Sequence, residues 1–259
     1  MSLLNVQDLH LSFGSQEVLR GLDLEVKEGE FLALVGESGS GKSMTALTVM
    51  GLLPANANIT AGSVTFEGTE LLGLEPRELD HYRGSKMAMV FQDALTSLNP
   101  VLTIGDQLTE GIMKHLGMSL KEAEDHACLL LERVGLPGDR SSLKRYPHTL
   151  SGGQRQRVSI AMALACKPKL LIADEPTTAL DVTVQAQIME LLWNLQQETG
   201  MAILFITHDI MLAARHAHRL AVALEGAVVE TGTPQQLLSA PKHDYTRRLT
   251  EAAEKLRLK

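Results

Sequence analysis

Aromatic side chains are scarce in this sequence: five Phe, three Tyr and one Trp among 259 residues. A protein that stacks successive bases of a single strand needs more aromatic faces than that. Basic charge is short as well. Lys and Arg number 24 against 31 Asp and Glu, a net charge of −7, which argues against a general binder of nucleic-acid phosphates. Cysteine occurs at Cys128 and Cys166 only, with no C-x-x-C spacing. The two read as buried, reduced thiols rather than as a metal site or a disulfide. No apolar run reaches the ~20 residues of a membrane span. The longest stretch without a charge, from Ser43 to Phe66, is broken by Gly51, Pro54, Asn56, Asn58 and Gly62. The N-terminal segment MSLLNVQDLH has neither the basic start nor the apolar core of a secretory signal. These absences predict a soluble, cytosolic chain that works at a membrane only through a partner.

What is present describes an ordered α/β protein. Hydrophobic residues make up 44% and charged residues 21%, close to the globular average and far from a disordered composition. The length allows one large domain or a core carrying an inserted subdomain. Strands are expected at Leu3–Leu11, Val18–Val26, Phe31–Val35, Ser63–Phe66, Met87–Phe91, Leu170–Ala173, Ala202–Ile206, Leu220–Leu224 and Ala227–Glu230. The runs FLALV, LLIA and AILFI are apolar on both faces, as in a parallel sheet covered by helices. The first strands follow too closely for intervening helices, so an antiparallel portion is expected at the N-terminal end. Ser119-x-x-Glu122 is a capping box. Leu120, Ala123, Ala127, Leu130, Leu131 and Val134 follow it at helical spacing, and Gly135 and Pro137 end the helix. Another helix carries Val184, Ile188, Leu191, Leu192 and Leu195 between Asp181 and Gly200. The mostly helical stretch 93–150 reads as a subdomain inserted between strand-rich parts, 1–92 and 151–240. Residues 241–259 read as a short C-terminal helix. The sequence shows no internal repeat and no sustained heptads.

Gly36-Glu37-Ser38-Gly39-Ser40-Gly41-Lys42-Ser43 matches G-x-x-x-x-G-K-[ST], with the buried run FLALV before it and the helical MTALTVM after it. Its glycines let the backbone wrap until several N–H groups point at phosphate oxygens. The helix that follows adds its positive end. In this pattern Lys42 reaches the β- and γ-phosphates and Ser43 ligates Mg²⁺. A flexible Gly/Ser turn would not require the strand, loop and helix to fall in register.

Leu170–Ala173 leads to Asp174-Glu175, which places a carboxylate at the C-terminal end of a buried strand, where open α/β sheets bind ligands. Pairing or a metal such as Mg²⁺ offsets the cost of burying it. Glu175 is placed to polarise a water for in-line attack on a γ-phosphate. A plain strand end before Pro176 explains the same two residues taken alone. Leu150-Ser151-Gly152-Gly153-Gln154 opens the helix RQRVSIAMALA. Ser151-x-x-Gln154 is itself a capping box. Adjacent glycines in the first turn nevertheless cost about 1 kcal/mol each, which suits a backbone that something else must approach closely. Exposed N–H groups at a helix start are also an anion site.

At this point the whole chain resembles the ATP-binding subunits of ABC transporters, with the family's elements in order. Phe13 corresponds to the aromatic that stacks on adenine, where a core Phe would otherwise be an even alternative. Residues 36–43 correspond to the Walker A loop, Gln92 to the Q-loop, 150–154 to the LSGGQ signature, and 170–175 to Walker B. Ala179-Leu180-Asp181 corresponds to the D-loop and His208 to the switch histidine. The resemblance implies a P-loop NTPase fold with an antiparallel β subdomain and a helical subdomain, and hydrolysis of ATP with Mg²⁺. Gly36, Glu37, Ser38, Gly39, Ser40, Gly41, Lys42 and Ser43 would hold the nucleotide. Ser151, Gly152, Gly153, Gln154 and Asp181 would close over it from a second subunit. Ser43, Gln92 and Asp174 would hold the metal; Glu175, His208 and Gln92 would act in hydrolysis.

The runs Gln92–Pro100, Tyr146-Pro147-His148 and Thr177–Asp181 further resemble the dipeptide, oligopeptide and nickel importer branch. So does the tail Pro241-Lys242-His243-Asp244-Tyr245-Thr246-Arg247, in which Asp244 stands where that branch usually has proline. Many peptide-importer subunits carry a cysteine-bearing C-terminal extension. Its absence before Lys259 leans toward shorter, nickel-type members. The implied partners are a second ABC ATPase subunit (a paralogue, or else a second copy), two membrane permease subunits and an external solute-binding protein. No nucleic-acid partner is implied. The implied location is peripheral, on the cytoplasmic face of the cell membrane. The alternative is an accessory ATPase of a soluble assembly such as a carbon–phosphorus lyase.

Overall fold

The computed structural model describes residues 1–92, 97–178 and 180–257. It divides into two compact units, Met1–Leu79 with Gln196–Lys259, and Asp80–Leu195.

In the first unit, β1 (Ser2–Phe13) and β2 (Gln16–Lys27) form an antiparallel hairpin. They continue through β4 (Ala57–Phe66) to the two-residue β5 (Thr69–Glu70), in the order β2-β1-β4-β5. The buried positions of β1 include Leu4 and Val6 on one side of Asp8, with Leu3 beside them, and Leu9 and Leu11 on the other. Alternation therefore changes phase in mid-strand. Since a one-residue slip sends every later side chain to the opposite face, something must absorb the extra residue. The register shift between Val6 and Leu9 does so, and Asp8 there has φ +45°. Across the sheet, β1 and β4 shift register between Gln7 and His10. Gly62 of β4 lies there with φ +100°, and a Cβ on it would sit 2.5 Å from Asp8 O and 2.6 Å from Leu9 Cα. The bulge keeps both halves of β1 facing the core.

β4 starts at Ala57, not at Ser63 as the sequence suggests. Its first six residues alternate small or apolar Ala57, Ile59 and Ala61 with Asn58, Thr60 and Gly62, but none of the six is fully buried and most are exposed. Their strand form comes from pairing with Leu11, Ser12 and Phe13 of β1, a neighbour effect that overrides local propensity.

The remaining strands of this unit run β10-β9-β3-β8. β3 (Phe31–Val35) lies parallel to both β8 (Ala202–Thr207) and β9 (Arg219–Leu224), and β10 (Ala227–Gly232) returns antiparallel to β9. β3 and β8 are buried along their whole length, as their two-sided apolar runs require. Glu30 and Arg219 pair at 2.8 Å just before β3 and at the start of β9, and the Lys27 amide also donates to Glu30. Helices α1 (Lys42–Val49), α2 (Pro76–Leu79), α8 (Ile210–Ala214), α9 (Pro234–Ser239) and α10 (Asp244–Arg257) complete the unit.

The second unit pairs β6 (Met87–Val90) in parallel with β7 (Leu170–Asp174). Around them are α3 (Ile104–Leu116), α4 (Leu120–Arg133), α5 (Arg140–Leu143), α6 (Gly152–Leu164) and α7 (Val182–Thr199), which runs on past the unit's end. The Ser119–Glu122 box starts α4 as expected, and Ala123, Ala127, Leu130 and Leu131 are its buried stripe. Leu120, expected on that stripe, is exposed; as the first residue of the helix it lies before the turn that packs. Thr103 with Asp106 and Thr233 with Gln236 make two further boxes, starting α3 and α9. Cys128 and Cys166 are both free, and both are half-buried rather than buried. Burial pushes each thiol up, and carboxylates at Asp125, Asp139 and Glu132 add to the effect on Cys128.

Gly62 supplies a stability test. Gly62→Ala combines a positive φ with a backbone clash and is expected to cost about 2–4 kcal/mol. Gly68→Ala, at φ +77° with open space around it, is expected to cost about 1–2 kcal/mol. The difference is read from the urea midpoints of the two variants; equal midpoints would contradict the packing account of Gly62.

Candidate functional site

The phosphate loop leaves β3 and closes on α1 inside the first unit. Gly36, Ser40, Gly41 and Lys42 are buried, whereas Glu37, Ser38 and Gly39 are exposed. Gly41 caps α1 in the left-handed region, with φ +98° and ψ −3°. A Cβ there would lie 2.6 Å from Leu19 Cδ2, and one on Gly36 would lie 2.3 Å from Ala223 O. The loop is therefore seated against β2 and β9 at its two glycine ends. The Gly226 amide donates to Ser40 O at 3.1 Å, and the Thr45 amide and hydroxyl both donate to Gly41 O. Lys42 is 4% exposed. Its Nζ donates to Gly36 O and Glu37 O, each at 2.8 Å, and approaches Ser40 Oγ at 3.4 Å. The loop thus curls around its own ammonium, and Ser43 follows it, half-buried, in the first turn of α1.

Three more residues of the first unit bear on the site. Phe13 is the last residue of β1, paired with Gln16 and Ala57, and is half-buried rather than in the core. His208 follows β8 and is exposed. Beside it, Asp209 caps α8 by accepting from the Met211 and Leu212 amides, both at 2.9 Å. Tyr245, near the start of α10, was not singled out from sequence as a site residue. Its hydroxyl accepts from the Glu37 amide of the phosphate loop at 3.0 Å.

The second unit holds the carboxylates. Asp174 ends β7 and is 6% exposed. Glu175 follows with φ +43°, unusual for a side-chain-bearing residue and more so before a proline. Backbone held in such a conformation concentrates at functional sites. Gln92 Nε2 donates to Glu175 Oε2 at 3.2 Å and Thr178 Oγ1 donates to the same oxygen at 2.8 Å. Gln92 and Glu175, far apart in the chain, are therefore together. Thr178 is a further contact to Glu175, visible in sequence only as part of the run Thr177–Asp181. Of the stretch after Gln92, Asp93, Ala94, Leu95 and Thr96 lie outside the described residues, as does Ala179 of the expected D-loop.

The signature contains both features that its sequence suggests. Ser151 caps α6: its Oγ accepts from the Gln154 amide at 3.2 Å, and Gln154 Oε1 accepts from the Ser151 amide at 3.0 Å. The glycines also allow a close approach, and within this unit the approaching group is the start of α7. A Cβ on Gly153 would lie 2.8 Å from Val184 Cγ1, and one on Gly152 would lie 3.4 Å from Leu180 Cδ2. Asp181 accepts from the Val184 amide at 3.0 Å and caps α7.

The donor set named for a metal is a hydroxyl, an amide and a carboxylate, from Ser43, Gln92 and Asp174. These are hard oxygen donors that suit Mg²⁺, which keeps several waters and binds through few protein ligands. Among the described residues, no cluster of three or more His, Cys, Asp or Glu side chains could hold a metal by itself.

The ABC transporter family model matches residues 19–178. The dipeptide transport ATP-binding protein DppD of Bacillus subtilis is 46% identical over 261 residues, covering 99% of this chain and 78% of that protein. The oligopeptide transport ATP-binding protein OppD of Escherichia coli is 48% identical over 259 residues, covering 98% and 77%. Among solved structures, the dimeric post-hydrolysis state of the ATP-binding cassette MJ0796, bound to ADP and Pi, superposes with a TM-score of 0.78. It is 31% identical and covers 89% of this chain and 98% of its own. A family match through the phosphate loop, signature and acidic strand, with near-half identity along almost the whole chain, makes this protein a member of the ABC transporter family.

Proposed function

We propose that this chain binds and hydrolyses ATP with Mg²⁺ and so powers an ABC importer of peptide-class solutes. The observation that carries the reading is Glu175. A carboxylate held by an amide and a hydroxyl, at the end of a buried strand and on backbone with φ +43°, has the chemistry and fixed orientation of a general base. In this reading Lys42 neutralises charge on the β- and γ-phosphates, and the amides of the phosphate loop donate to their oxygens. Ser43, Gln92 and Asp174 hold Mg²⁺, which when bound supplies Lewis-acid stabilisation of the charge that develops on the phosphate oxygens. Glu175 accepts the proton of the attacking water, and His208 donates to the γ-phosphate. Phe13 offers its half-exposed ring to adenine.

The reading also needs a second subunit. Ser151, Gly152, Gly153, Gln154 and Asp181 would face the nucleotide held by the other copy's phosphate loop. ATP then closes the pair and hydrolysis opens it, a two-state clamp. The partner is a paralogous ATPase or a second copy of this chain. Within each subunit, 1–92 with 151–240 forms the nucleotide-binding core, 93–150 the helical part facing the permeases and 241–259 the tail. Among the described residues, no helix is long and apolar enough to cross a membrane. That fits a subunit docked on two permeases at the cytoplasmic face, with a solute-binding protein outside. DppD and OppD are named for dipeptide and oligopeptide transport, which puts peptides ahead of nickel as cargo. The same names favour an importer over the accessory ATPase of a carbon–phosphorus lyase.

Two substitutions test the assignment. Glu175→Gln, assayed with the permeases present, is expected to bind ATP normally and to lose about 10²–10⁴-fold in steady-state hydrolysis. Normal turnover would remove Glu175 from the role of base. Lys42→Ala is expected to weaken MgATP binding by about 10–100-fold, as for loss of charge-assisted hydrogen bonds. Undiminished affinity in a fluorescent-nucleotide titration would contradict the phosphate-loop assignment.

A further inference from the structure

The tail that follows the core is tied to the phosphate loop at a specific atom. Glu230 of β10 accepts from the Lys242 and His243 amides at 2.8 and 3.0 Å, and His243 Nδ1 accepts from the Tyr245 amide at 3.2 Å. These bonds lock the turn leading into α10. The helix then packs against α8, the helix that follows His208, and against α9. Tyr245, Thr246 and Thr250 on its inner face are 4%, 0% and 4% exposed. The Tyr245 ring is thereby fixed, and its hydroxyl accepts from the Glu37 amide at 3.0 Å.

That amide shares its peptide plane with the Gly36 carbonyl. The plane is rigid, and in a trans peptide its N–H and C=O point in opposite directions. The Gly36 oxygen is the one that Lys42 Nζ meets at 2.8 Å. A continuous hydrogen-bonded line therefore runs from the Lys42 ammonium through the 36–37 peptide to the Tyr245 hydroxyl. Any rotation of the plane breaks both bonds. Each bond also polarises the plane and strengthens the other. Burial pushes the Tyr245 hydroxyl above its ordinary value, while the bond from the Glu37 amide acts in the opposite direction.

We propose that Tyr245 is a positioning residue for nucleotide binding: from the C-terminal helix, it fixes the 36–37 peptide and through it the Lys42 ammonium that meets the phosphates. The proposal rests on the nucleotide-binding reading above and adds to it a part of the chain that the site motifs do not include. The side chain touches no substrate in this scheme. Its effect reaches the ligand only through Lys42.

The test uses the purified full chain and MgATP, with dissociation constants from a fluorescent ATP analogue. Tyr245→Phe keeps the ring and removes the acceptor. It is expected to raise the MgATP dissociation constant about three- to tenfold, the effect of one hydrogen bond. The melting temperature without nucleotide is expected to stay within about 4 °C of the parent. Arg247→Gln, on the exposed side of the same helix turn, is expected to bind as the parent does. In the background of Lys42→Ala, adding Tyr245→Phe is expected to cost nothing further, because the group it positions is gone. An unchanged dissociation constant in Tyr245→Phe overturns the proposal. So does an equal further loss in the Lys42→Ala background, which would mark a general structural effect. If Lys42→Ala itself binds MgATP normally, the nucleotide reading fails. If Lys42→Ala weakens binding and Tyr245→Phe does not, the positioning role alone fails.

Discussion

A buried ammonium sets the terms for much of this structure. Lys42 is 4% exposed, and a charge so placed is tolerated only with close polar partners. Here the partners are carbonyls of its own loop, at Gly36 and Glu37. For them to converge on Nζ the chain must wrap tightly, and the wrap leaves no room for side chains at Gly36 or Gly41. The walls that exclude those side chains are Ala223 O and Leu19 Cδ2, so the positions of β9 and β2 are bound to the same requirement. The sheet order β10-β9-β3-β8 puts β9 directly beside the strand that delivers the loop.

The second unit meets a related requirement with different means. Glu175 carries a carboxylate with a defined direction, and it follows a fully buried strand. Gln92 and Thr178 fix one of its oxygens, while the left-handed backbone turns the residue out of the line of β7. The signature helix packs its two glycines against Leu180 and Val184. The segment on which Asp181 lies is thereby fastened to the signature within a single chain. A displacement of either segment would be felt by the other.

Much of this was legible in the sequence, for reasons that differ by element. β3, β7 and β8 are short runs apolar on both faces, as burial in a helix-covered parallel sheet requires. The phosphate loop was legible because its residue types, its spacing and its flanking strand and helix all agree. The capping boxes at Ser119 and Ser151 were readable because both partners lie within four residues of each other. What stayed hidden depends on distant partners. The first half of β4 is a strand because β1 lies beside it, and the phase change at Asp8 is set by Gly62 on another strand. Gln92 and Glu175 each stood out as a motif residue. Their hydrogen bond did not, and neither did the one from Thr178. Tyr245 reaches a loop 208 residues away, a relation no local pattern encodes. The half-burial of Cys128 and Cys166 was likewise missed, because apolar neighbours in sequence do not say how completely a helix is covered.

Those two cysteines have a practical side. A thiol reacts with alkylating reagents as its thiolate, and burial holds both native thiols up. Near neutral pH each native sulfur therefore carries less thiolate than an ordinary exposed cysteine. A third cysteine placed on an exposed, polar position would react ahead of them. The parent chain is thus a background for single-site fluorophores or spin labels, with which the proposed closure of a subunit pair can be followed while its natural cysteines stay in place.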